Sequence, residues 1–423
     1  MLRRLRIGIS ALLFVLISFF FLDFAEILPN SFHRLAHLQF VPAILSLSIG
    51  ILLFLIVLTL LFGRIYCSTI CPMGILQDII ARISKATGKK KKRYSYSPAR
   101  NKLRWGVLGL TVTGFLCGFT FIVGLLDPYS AYGRVVVHIF KPIYMLGNNL
   151  LESLFSKFDN YTFYQVDTSI LSLSSLLIAI ITLAVIFVMA WKHGRTWCNT
   201  ICPVGTVLGL LSRFSLFKVR IDTDKCNGCG LCATKCKAAC INSKEHVIDY
   251  SRCVDCFDCL GACKQKALVY NPSLKKQQVR MEAPSSPDTD SSKRRFLVAG
   301  LVTAGVAPKL LSQAKESVAR LEGKKAYKKE NPITPPGSIG REHFQKQCTS
   351  CHLCVSKCPS HVLKPAFTEY GLAGMMQPTV SFEKGFCNFD CTVCGDVCPN
   401  GAILPISVEQ KHLTQMGYVV FIE

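Results

Sequence analysis

Sixteen of the 22 cysteines in this chain fall into four short runs with the spacing of iron–sulfur ligands. Three runs read C-x2-C-x2-C-x3-C, and the fourth has one extra residue in its first gap. Short gaps let three thiolates of one tight loop reach three corners of a cubane, while the fourth cysteine points at the neighbouring cube. The runs are Cys226, Cys229, Cys232 and Cys236; Cys253, Cys256, Cys259 and Cys263; Cys348, Cys351, Cys354 and Cys358; and Cys387, Cys391, Cys394 and Cys398.

Pairing the runs crosswise predicts two [4Fe–4S] clusters in each of two modules. Structural zinc would use pairs of C-x2-C and would leave half of these thiols unused. The stretch from Cys348 to His352 also matches the C-x-x-C-H haem-attachment pattern, but Cys354 and Cys358 complete a ferredoxin run over the same residues. The expected ligand sets are Cys226, Cys229, Cys232 and Cys263; Cys253, Cys256, Cys259 and Cys236; Cys348, Cys351, Cys354 and Cys398; and Cys387, Cys391, Cys394 and Cys358.

A motif that occurs twice holds four more cysteines. Clip 1 (63–74) reads GRIYCSTICPMG, and clip 2 (194–205) reads GRTWCNTICPVG. The three-residue gap puts both thiols of a clip on one face, about one helical turn apart. The four thiols could jointly bind a metal or cluster, form reversible disulfides, dock a partner, or serve structure alone. Cys240 and Cys117 lie outside these patterns and are expected to be plain thiols. The clip cysteines are Cys67, Cys71, Cys198 and Cys202.

The elements that must position these cysteines include four apolar segments. Half of the residues are hydrophobic and only 18% are charged, which indicates membrane spans beside more polar modules. A span takes roughly 20 residues, and the segments cover approximately residues 7–24, 42–62, 105–126 and 169–191. The net charge of +23 comes largely from basic residues beside these segments, and no recognition motif accompanies it, so nucleic-acid binding is not expected.

Basic residues predict the direction in which the spans run. Arg3, Arg4 and Arg6 precede the first span, and the loop between the second and third contains KKKKR at 89–93. The N-terminus and both clips are therefore predicted to be cytoplasmic. Each clip follows the second helix of a two-helix hairpin, so the hairpins form a parallel repeat about an axis along the membrane normal. The two clips could meet across that axis.

Together these features predict a membrane α-helical bundle of four spans, arranged as two parallel-repeat hairpins, with two α+β double-cubane ferredoxin modules of bacterial type. The twin arginines Arg294 and Arg295 precede a short apolar run, which would form a fifth anchor. The second ferredoxin domain is either a shorter variant or truncated. The predicted regions are the membrane domain (1–205), the cytoplasmic ferredoxin domain (206–270), the linker (271–346) and the second ferredoxin domain (347–423).

The spans, the C-x3-C-P clips and the first cysteine-rich module resemble the NapH-type membrane subunit of the periplasmic nitrate reductase electron chain. This likeness covers roughly the first 270 residues. The remainder is similar to the NapG-type iron–sulfur partner, whose twin-arginine signal the stretch SKRRFL (292–297) resembles, so the chain looks like a fusion of the two subunits. The resemblance implies a quinol dehydrogenase of the bacterial inner membrane, with the second ferredoxin domain on the periplasmic side. The NapG-type partner usually has four cluster runs, and this part of the chain has two.

Quinol oxidation requires a proton acceptor at the membrane edge. Asp127 and His138 follow the third span and are the candidates, although Asp127 could instead begin a turn; His33 and His37 have the same two interpretations. We expect menaquinol or ubiquinol as substrate, four [4Fe–4S] clusters, and a periplasmic multihaem cytochrome or reductase as the acceptor. The alternative is a polyferredoxin-like assembly or redox-sensing factor for a respiratory metalloenzyme. The sequence contains no G-x-G-x-x-G or Walker loop, so neither NAD nor ATP is expected.

Overall fold

A computed structural model describes residues 1–23, 34–87, 94–159, 161–166, 172–272, 332–383 and 385–415. The chain divides into a larger unit, Met1–Leu274 with Pro332–Glu423, and a smaller unit, Lys275–Asn331. The smaller unit lies outside the described residues, and the twin arginines and the expected fifth anchor lie outside them as well. His33 and the apolar stretch at 417–423 also fall outside.

The first half of the larger unit is helical. A π-helical turn, Val136–Phe140, joins two of its helices into one continuous stretch. The helices are α1 (Leu2–Leu22), α2 (Arg34–His37), α3 (Phe40–Leu45), α4 (Ile49–Phe62), α5 (Tyr66–Thr69), α6 (Pro72–Thr87), α7 (Asn101–Leu116), α8 (Thr120–Leu126), α9 (Pro128–Val135), α10 (Lys141–Phe155), α11 (Leu173–His193), α12 (Thr196–Thr200) and α13 (Pro203–Leu211).

Two helices, α1 and α11, are long and apolar enough to cross a membrane. Each has 21 residues, which at 1.5 Å per residue gives about 31 Å, close to the hydrocarbon thickness of a bilayer. They coincide with the first and fourth predicted spans. The second predicted span is divided between α3 and α4 by a turn where Leu47 has a φ of 51°. The third is divided between α7 and α8 at Gly118, whose φ of 83° ends the helix.

Large apolar side chains on four of these helices point away from the protein. The most apolar 18-residue windows of α1 and α11 are only 28% and 22% buried, whereas the core helix of a soluble protein would be mostly buried. The helices α4 and α7, although parts of divided segments, expose apolar residues in the same way. Examples are Leu12 and Val15 in α1, Leu53 and Phe54 in α4, Leu110 and Val112 in α7, and Ile181 and Val188 in α11.

Two small α+β modules complete the unit, and we name them module 1 (217–272) and module 2 (332–415). Module 1 contains an antiparallel pair, β1 with β4, whose register runs from Phe217 opposite Pro272 to Ile221 opposite Leu268. Its elements are β1 (Phe217–Ile221), α14 (Leu231–Lys235), β2 (Ile241–Asn242), β3 (Val247–Ile248) and β4 (Leu268–Pro272), and β2 pairs with β3.

Module 2 pairs β5 antiparallel with β6. Ile333 forms a bridge to Val380, and the side chain of Phe344 is fully buried. Residues 332–346, which the sequence predicts to belong to the linker, are therefore part of module 2. Its elements are α15 (Arg341–Gln347), α16 (Leu353–Lys357), β5 (Leu363–Pro365), β6 (Pro378–Val380), α17 (Val393–Asp396) and α18 (Val408–His412).

The two modules contact opposite ends of α1. At its N-terminal end, Arg3 Nε lies 2.8 Å from Asp258 Oδ1 of module 1. At its C-terminal end, Asp23 Oδ2 lies 2.8 Å from Lys357 Nζ of module 2, and Ser356 Oγ donates to the Phe21 carbonyl. The length of α1, about 30 Å, therefore separates these two contact points.

The other long helices end against the same two modules. Arg104, near the start of α7, donates to Ser251 of module 1, and the backbone N–H of Arg195, just after α11, donates to the Lys237 carbonyl of that module. In contrast, Thr120 at the start of α8 donates to the carbonyl of Gln345 in module 2. The helical domain thus lies between the two modules.

Candidate iron–sulfur centres and the clip site

Four small cavities are each lined by a set of four run cysteines. Two lie in module 1 and two in module 2, and each set draws three thiols from one run and one from the other. These are the sets that crosswise pairing of the runs predicts. The sets are Cys226, Cys229, Cys232 and Cys263; Cys236, Cys253, Cys256 and Cys259; Cys348, Cys351, Cys354 and Cys398; and Cys358, Cys387, Cys391 and Cys394.

The loops that carry these thiols have a repeated backbone pattern that fits a cubane. In each of the three regular runs, the residue before the second cysteine and the residue after it both have positive φ. A left-handed residue between right-handed ones turns successive N–H groups inward, which makes a concave site for an anionic group. Four of the six residues are not glycine, and the left-handed conformation is unfavourable for them, so the surrounding structure must stabilise this loop shape. The six residues with positive φ are Gly228, Gly230, Asp255, Phe257, Ser350 and His352.

Backbone and side-chain donors surround the thiols of module 2. Burial raises the pKa of the Cys398 thiol, while backbone N–H groups at 400–403 oppose the rise by pointing to it. Lys411, buried in α18, donates to the carbonyls of Asn388 and Cys391 and so holds the irregular fourth run in place. Sequence reasoning did not select Lys411, because no local pattern distinguishes it from a surface lysine. The donor set and the inward N–H groups fit [4Fe–4S] clusters.

The remaining thiols differ in their surroundings. Cys240 is buried, and its Sγ lies 3.5 Å from Cys236 Sγ in the same cavity, so it is closer to a cysteine set than the sequence suggested. Cys117 is exposed between α7 and α8. Within the described ranges, no three His, Cys, Asp or Glu side chains are arranged to hold a single metal ion. A cubane differs from a single ion because its thiolates bind separate iron atoms.

The two clips fold alike and meet each other. Gly63 and Gly194, with φ of 71° and 70°, begin them, and a proline then starts the helix that follows each second cysteine. The guanidinium of each clip reaches the backbone of the other. Arg64 Nη2 donates to the Cys198 carbonyl (3.1 Å), and Arg195 Nη1 donates to the Cys67 carbonyl (2.6 Å).

All four clip thiols are buried, with residue exposures of 3–4%. Burial raises the pKa of Cys71 and of Cys202 well above the usual value, and the thiols of the opposite clip raise both further. Three donors contact clip sulfurs in the structure: Gln77 Nε2 lies 3.2 Å from Cys198 Sγ, Arg64 Nη2 lies 3.8 Å from Cys67 Sγ, and the backbone N–H of Gly205 lies 3.3 Å from Cys202 Sγ.

The surroundings of the clips are rich in buried cations. Asp78 forms ion pairs with three of them: Arg195 at 2.8 Å, Arg6 at 3.3 Å and Lys237 at 3.4 Å. These cations hold the pKa of Asp78 well below its usual range, although burial alone would raise it. Arg64 has no such partner, because no carboxylate of the described chain lies within ion-pair distance of its guanidinium.

Asp127 caps a helix beneath module 2. Its Oδ2 accepts from the backbone N–H of Ser130 (2.8 Å) and from Ser130 Oγ (2.7 Å), and Pro128 occupies the first position of α9. Ser130 Oγ also lies 2.8 Å from Thr349 Oγ1 in the first cluster loop of module 2. Burial raises the pKa of Asp127, against the hydrogen bonds from Ser130. Asp127 is therefore explained as the residue that begins a helical turn. Its role in quinol oxidation stays a proposal.

His138 lies in the π-helical turn, a feature often found at functional sites. It is buried, and burial followed by the charge of Arg134 lowers its pKa to about 4. Arg134 itself is fully buried and donates to the carbonyls of Ser350 and Gly124. Sequence reasoning missed Arg134, although a lone arginine in an apolar stretch was a signal. His37, by comparison, is half-buried, and burial lowers its pKa.

The family model described as "4Fe-4S binding domain" matches two regions of the chain, 45–91 and 175–222. Each region contains most of a long apolar segment and one clip, and each contains two cysteines, those of its clip. The matches therefore fall on the duplicated helical hairpins rather than on the four cysteine runs.

Curated relatives match about half of the chain. An uncharacterized protein of Methanocaldococcus jannaschii is 28% identical over 224 residues, 52% of this chain and 69% of that protein. The putative electron transport protein YccM of Escherichia coli is 26% identical over 52% of this chain and 55% of its own length. The ferredoxin-type protein NapH of Haemophilus influenzae is 24% identical over 53% and 67%. No solved structure matches significantly. The chain is thus related to ferredoxin-type electron transport proteins.

Proposed function

We propose that this chain is a membrane iron–sulfur protein that oxidises menaquinol or ubiquinol and delivers the electrons to a periplasmic acceptor. The observation that carries the proposal is the placement of modules 1 and 2 at opposite ends of α1. When bound, four [4Fe–4S] clusters would supply one-electron transfer at each end of the helical domain. The chain's own residues position the modules and the quinol.

A four-span membrane domain is supported by the apolar side chains that α1, α4, α7 and α11 expose. It is also supported by where the helices end. The start of α1, the start of α7 and the end of α11 contact module 1, whereas the end of α1 and α8 contact module 2. Segments that alternate in direction would give this pattern. Divided segments are tolerated in membranes where their backbone groups find protein partners.

Sidedness follows from charge. Arg3, Arg4 and Arg6 lie at the end of α1 that contacts module 1, and cytoplasmic ends of spans are enriched in such residues. Module 1 would therefore be cytoplasmic, and module 2 periplasmic, in a bacterial inner membrane. The resemblance of SKRRFL to a twin-arginine signal supports export of a folded module 2. A multihaem cytochrome or a reductase would be the acceptor there.

The quinol would bind on the side of module 2. Asp127 and His138 lie on the same face beneath this module, which would let a proton leave near the point where electrons enter. The imidazole of His138 is neutral at pH 7 because its pKa is lowered. Asp127 is an acceptor of two hydrogen bonds, and its carboxylate is the second candidate for a proton.

The test uses full-length protein purified without oxygen, with its clusters reduced by dithionite and excess reductant removed. An oxidised menaquinone analogue is then added, and the EPR signal of the reduced clusters is followed. Rapid loss of the signal would support exchange of electrons with quinone. A persistent signal, in protein with full iron and sulfide content, would favour the assembly or redox-sensing factor.

Sidedness has its own test. Reporters fused before Met1 and after Glu423 should report the cytoplasm and the periplasm, respectively. A cytoplasmic reporter at both ends would remove the periplasmic exit and contradict the carrier role, while leaving the cluster sites unaffected.

A further inference from the structure

We propose that Cys67, Cys71, Cys198 and Cys202 together hold one further [4Fe–4S] cluster between the two modules. The proposal deepens the electron-transfer function above, but it concerns a binding site and can be tested without quinol. Neither clip can form such a site alone, because a cluster of this kind requires four thiolates and each clip has two.

The structure joins the two half-sites. Arg64 and Arg195 exchange hydrogen bonds with the carbonyls of Cys198 and Cys67, which locks the first cysteine of each clip to the opposite clip. Gln77 of the helix after clip 1 donates to Cys198 Sγ of clip 2. The four thiols are therefore parts of one buried arrangement made by both repeats, with each repeat supplying half.

Charge indicates an anionic occupant. Arg64 is fully buried, and its guanidinium forms no direct ion pair in the described chain; Asp255 interacts with its backbone N–H and, from farther away, with its charge. Its Nε and the Nη2 of Arg195 also lack hydrogen-bond partners. A buried cation without a close counter-charge is unfavourable, and Asp255 is the nearby carboxylate that interacts with the charge of Arg64. Four thiolates around a cluster would supply negative charge beside both guanidinium groups, and N–H groups near sulfur are a usual means of tuning such clusters.

A single ion such as zinc fits less well. Zinc sites built from four cysteines draw all four sulfurs to about 2.3 Å from one atom, and no set of residues in the described ranges is arranged to hold one ion. The description "4Fe-4S binding domain" for both clip-bearing regions agrees with the larger group. Taken with two cysteines per region, it points to one shared cluster rather than two.

The site lies between the two modules. The carbonyl of Ser251, which accepts from Arg64 Nη1 at 3.0 Å, precedes Cys253 of module 1 by two residues. The hydrophobic core that contains the clip cysteines extends through the helical domain to Cys351 and Cys354 of module 2. A cluster here would stand between module 1 and module 2 inside the helical domain.

Iron and acid-labile sulfide per chain test the proposal in full-length protein purified anaerobically in detergent. Four clusters on the four runs require about 16 iron atoms, and the clip cluster raises this to about 20. We expect about 20 in the unaltered protein. About 16 iron atoms per chain, or zinc as the additional metal, would overturn the proposal. About 18 iron atoms would overturn the four-iron form and indicate a [2Fe–2S] cluster at the clips.

Three serine variants then distinguish one shared site from two separate ones. The pair Cys67→Ser/Cys71→Ser and the pair Cys198→Ser/Cys202→Ser should each lose about four iron atoms, and the quadruple variant should lose no more than either pair. If the quadruple variant lost twice as much, each clip would hold its own metal. Cys117→Ser, at an exposed thiol between α7 and α8, is the matched control and should retain all iron.

Arg64→Gln keeps all four thiols and provides a readout that does not depend on their removal. If the clips hold the cluster, this variant should shift one cluster's EPR signal or midpoint potential and leave the module signals unchanged. Unchanged spectra at native iron content would contradict the assigned role of Arg64. Full iron content without oxidation by menaquinone would instead contradict the proposed function and leave the clip site standing.

Discussion

His138 Nε2 lies 2.7 Å from His352 Nδ1 in a buried contact between the helical domain and module 2. The second ring nitrogen of His352, Nε2, lies 2.8 Å from the Met376 carbonyl. A carbonyl only accepts, so His352 Nε2 carries the proton and His352 Nδ1 accepts from His138. His138 Nε2–H is therefore used as a donor to module 2, which leaves only its Nδ1 as a base for quinol.

His138→Ala should weaken the attachment of module 2, because it leaves His352 Nδ1 buried without a donor. The cost of such a group is about 1–3 kcal/mol, which corresponds to about fivefold to more than a hundredfold in affinity. The measurement uses a protease site inserted within 273–331, followed by the fraction of module 2 that stays bound after cleavage. His138→Gln keeps an N–H donor and should retain most of the binding. Equal binding by both variants and the unaltered protein would show that the contact contributes little.

Asp127→Asn separates the two roles of this residue. Asparagine is as good a helix N-cap as aspartate, so α9 and the iron content should be retained. If Asp127 accepts the quinol proton, quinol oxidation should slow by about a hundredfold to ten-thousandfold, the usual contribution of a general base. Asp127→Ala removes the cap as well and should cost about 1 kcal/mol in stability. Unchanged turnover in Asp127→Asn would remove the residue from consideration as a base.

Lys357→Met should detach module 2 after the same linker cleavage. Asp23 and Lys357 form an ion pair whose side chains are 0% and 5% exposed, and removal of one partner from a buried pair costs about 3–5 kcal/mol. The double variant Asp23→Leu/Lys357→Met replaces both charges by apolar groups and should regain most of the binding. Failure of the double variant to recover would indicate that packing, rather than charge, holds this end of α1.

The sequence predicts the four cysteine sets, because gaps of two and three residues restrict which thiols share a loop; their role as cluster ligands stays a prediction. Spacing of this kind is local, and the structure places the expected sets, such as Cys226 with Cys263, around the same cavities. Hydropathy likewise indicated four apolar segments. It reports average polarity only, so it did not reveal that Leu47 and Gly118 interrupt two of them.

Contacts between distant segments could not be predicted from the sequence. The repeat suggested that the clips could meet, but not that Arg64 and Arg195 would each bind the backbone of the other clip. Neither did it indicate that Arg134 would hold the Ser350 carbonyl, since such contacts depend on how the modules pack. An arginine recurs at the second position of each clip, and only the fold shows which groups these two side chains contact.

Acid should destabilise the protein through Asp78 only at low pH. The pKa of Asp78 is depressed in the folded protein, so its stabilising contribution is complete above the unfolded value, near pH 4. It is lost as the pH falls through the lower folded pKa. The difference in thermal midpoint between the unaltered protein and Asp78→Asn should therefore be constant from pH 5 to 8 and shrink below about pH 4. A difference that changed between pH 6 and 8 would contradict this assignment.

Gly74→Ala and Gly205→Ala should each destabilise the clips. A Cβ at Gly74 would collide with the Cys67 carbonyl oxygen, and one at Gly205 with the Cys198 carbonyl oxygen. These are backbone atoms that cannot turn aside, and overpacking of this kind costs about 1–3 kcal/mol or more. Gly109→Ala in α7 is the matched control, because nothing lies within 4 Å of its added Cβ.

In that control, alanine should be neutral or stabilising by up to about 1 kcal/mol, since it reduces the conformational freedom of the unfolded chain. Thermal midpoints in detergent provide the comparison, and the reactivity of the clip thiols toward a maleimide after iron removal provides a local readout. If the clips depend on close backbone approach, the thermal midpoint should fall and the clip thiols should become reactive in the two clip variants, and the control should show neither effect. Stable Gly74→Ala and Gly205→Ala proteins with unreactive thiols would show that the clips adjust without separating.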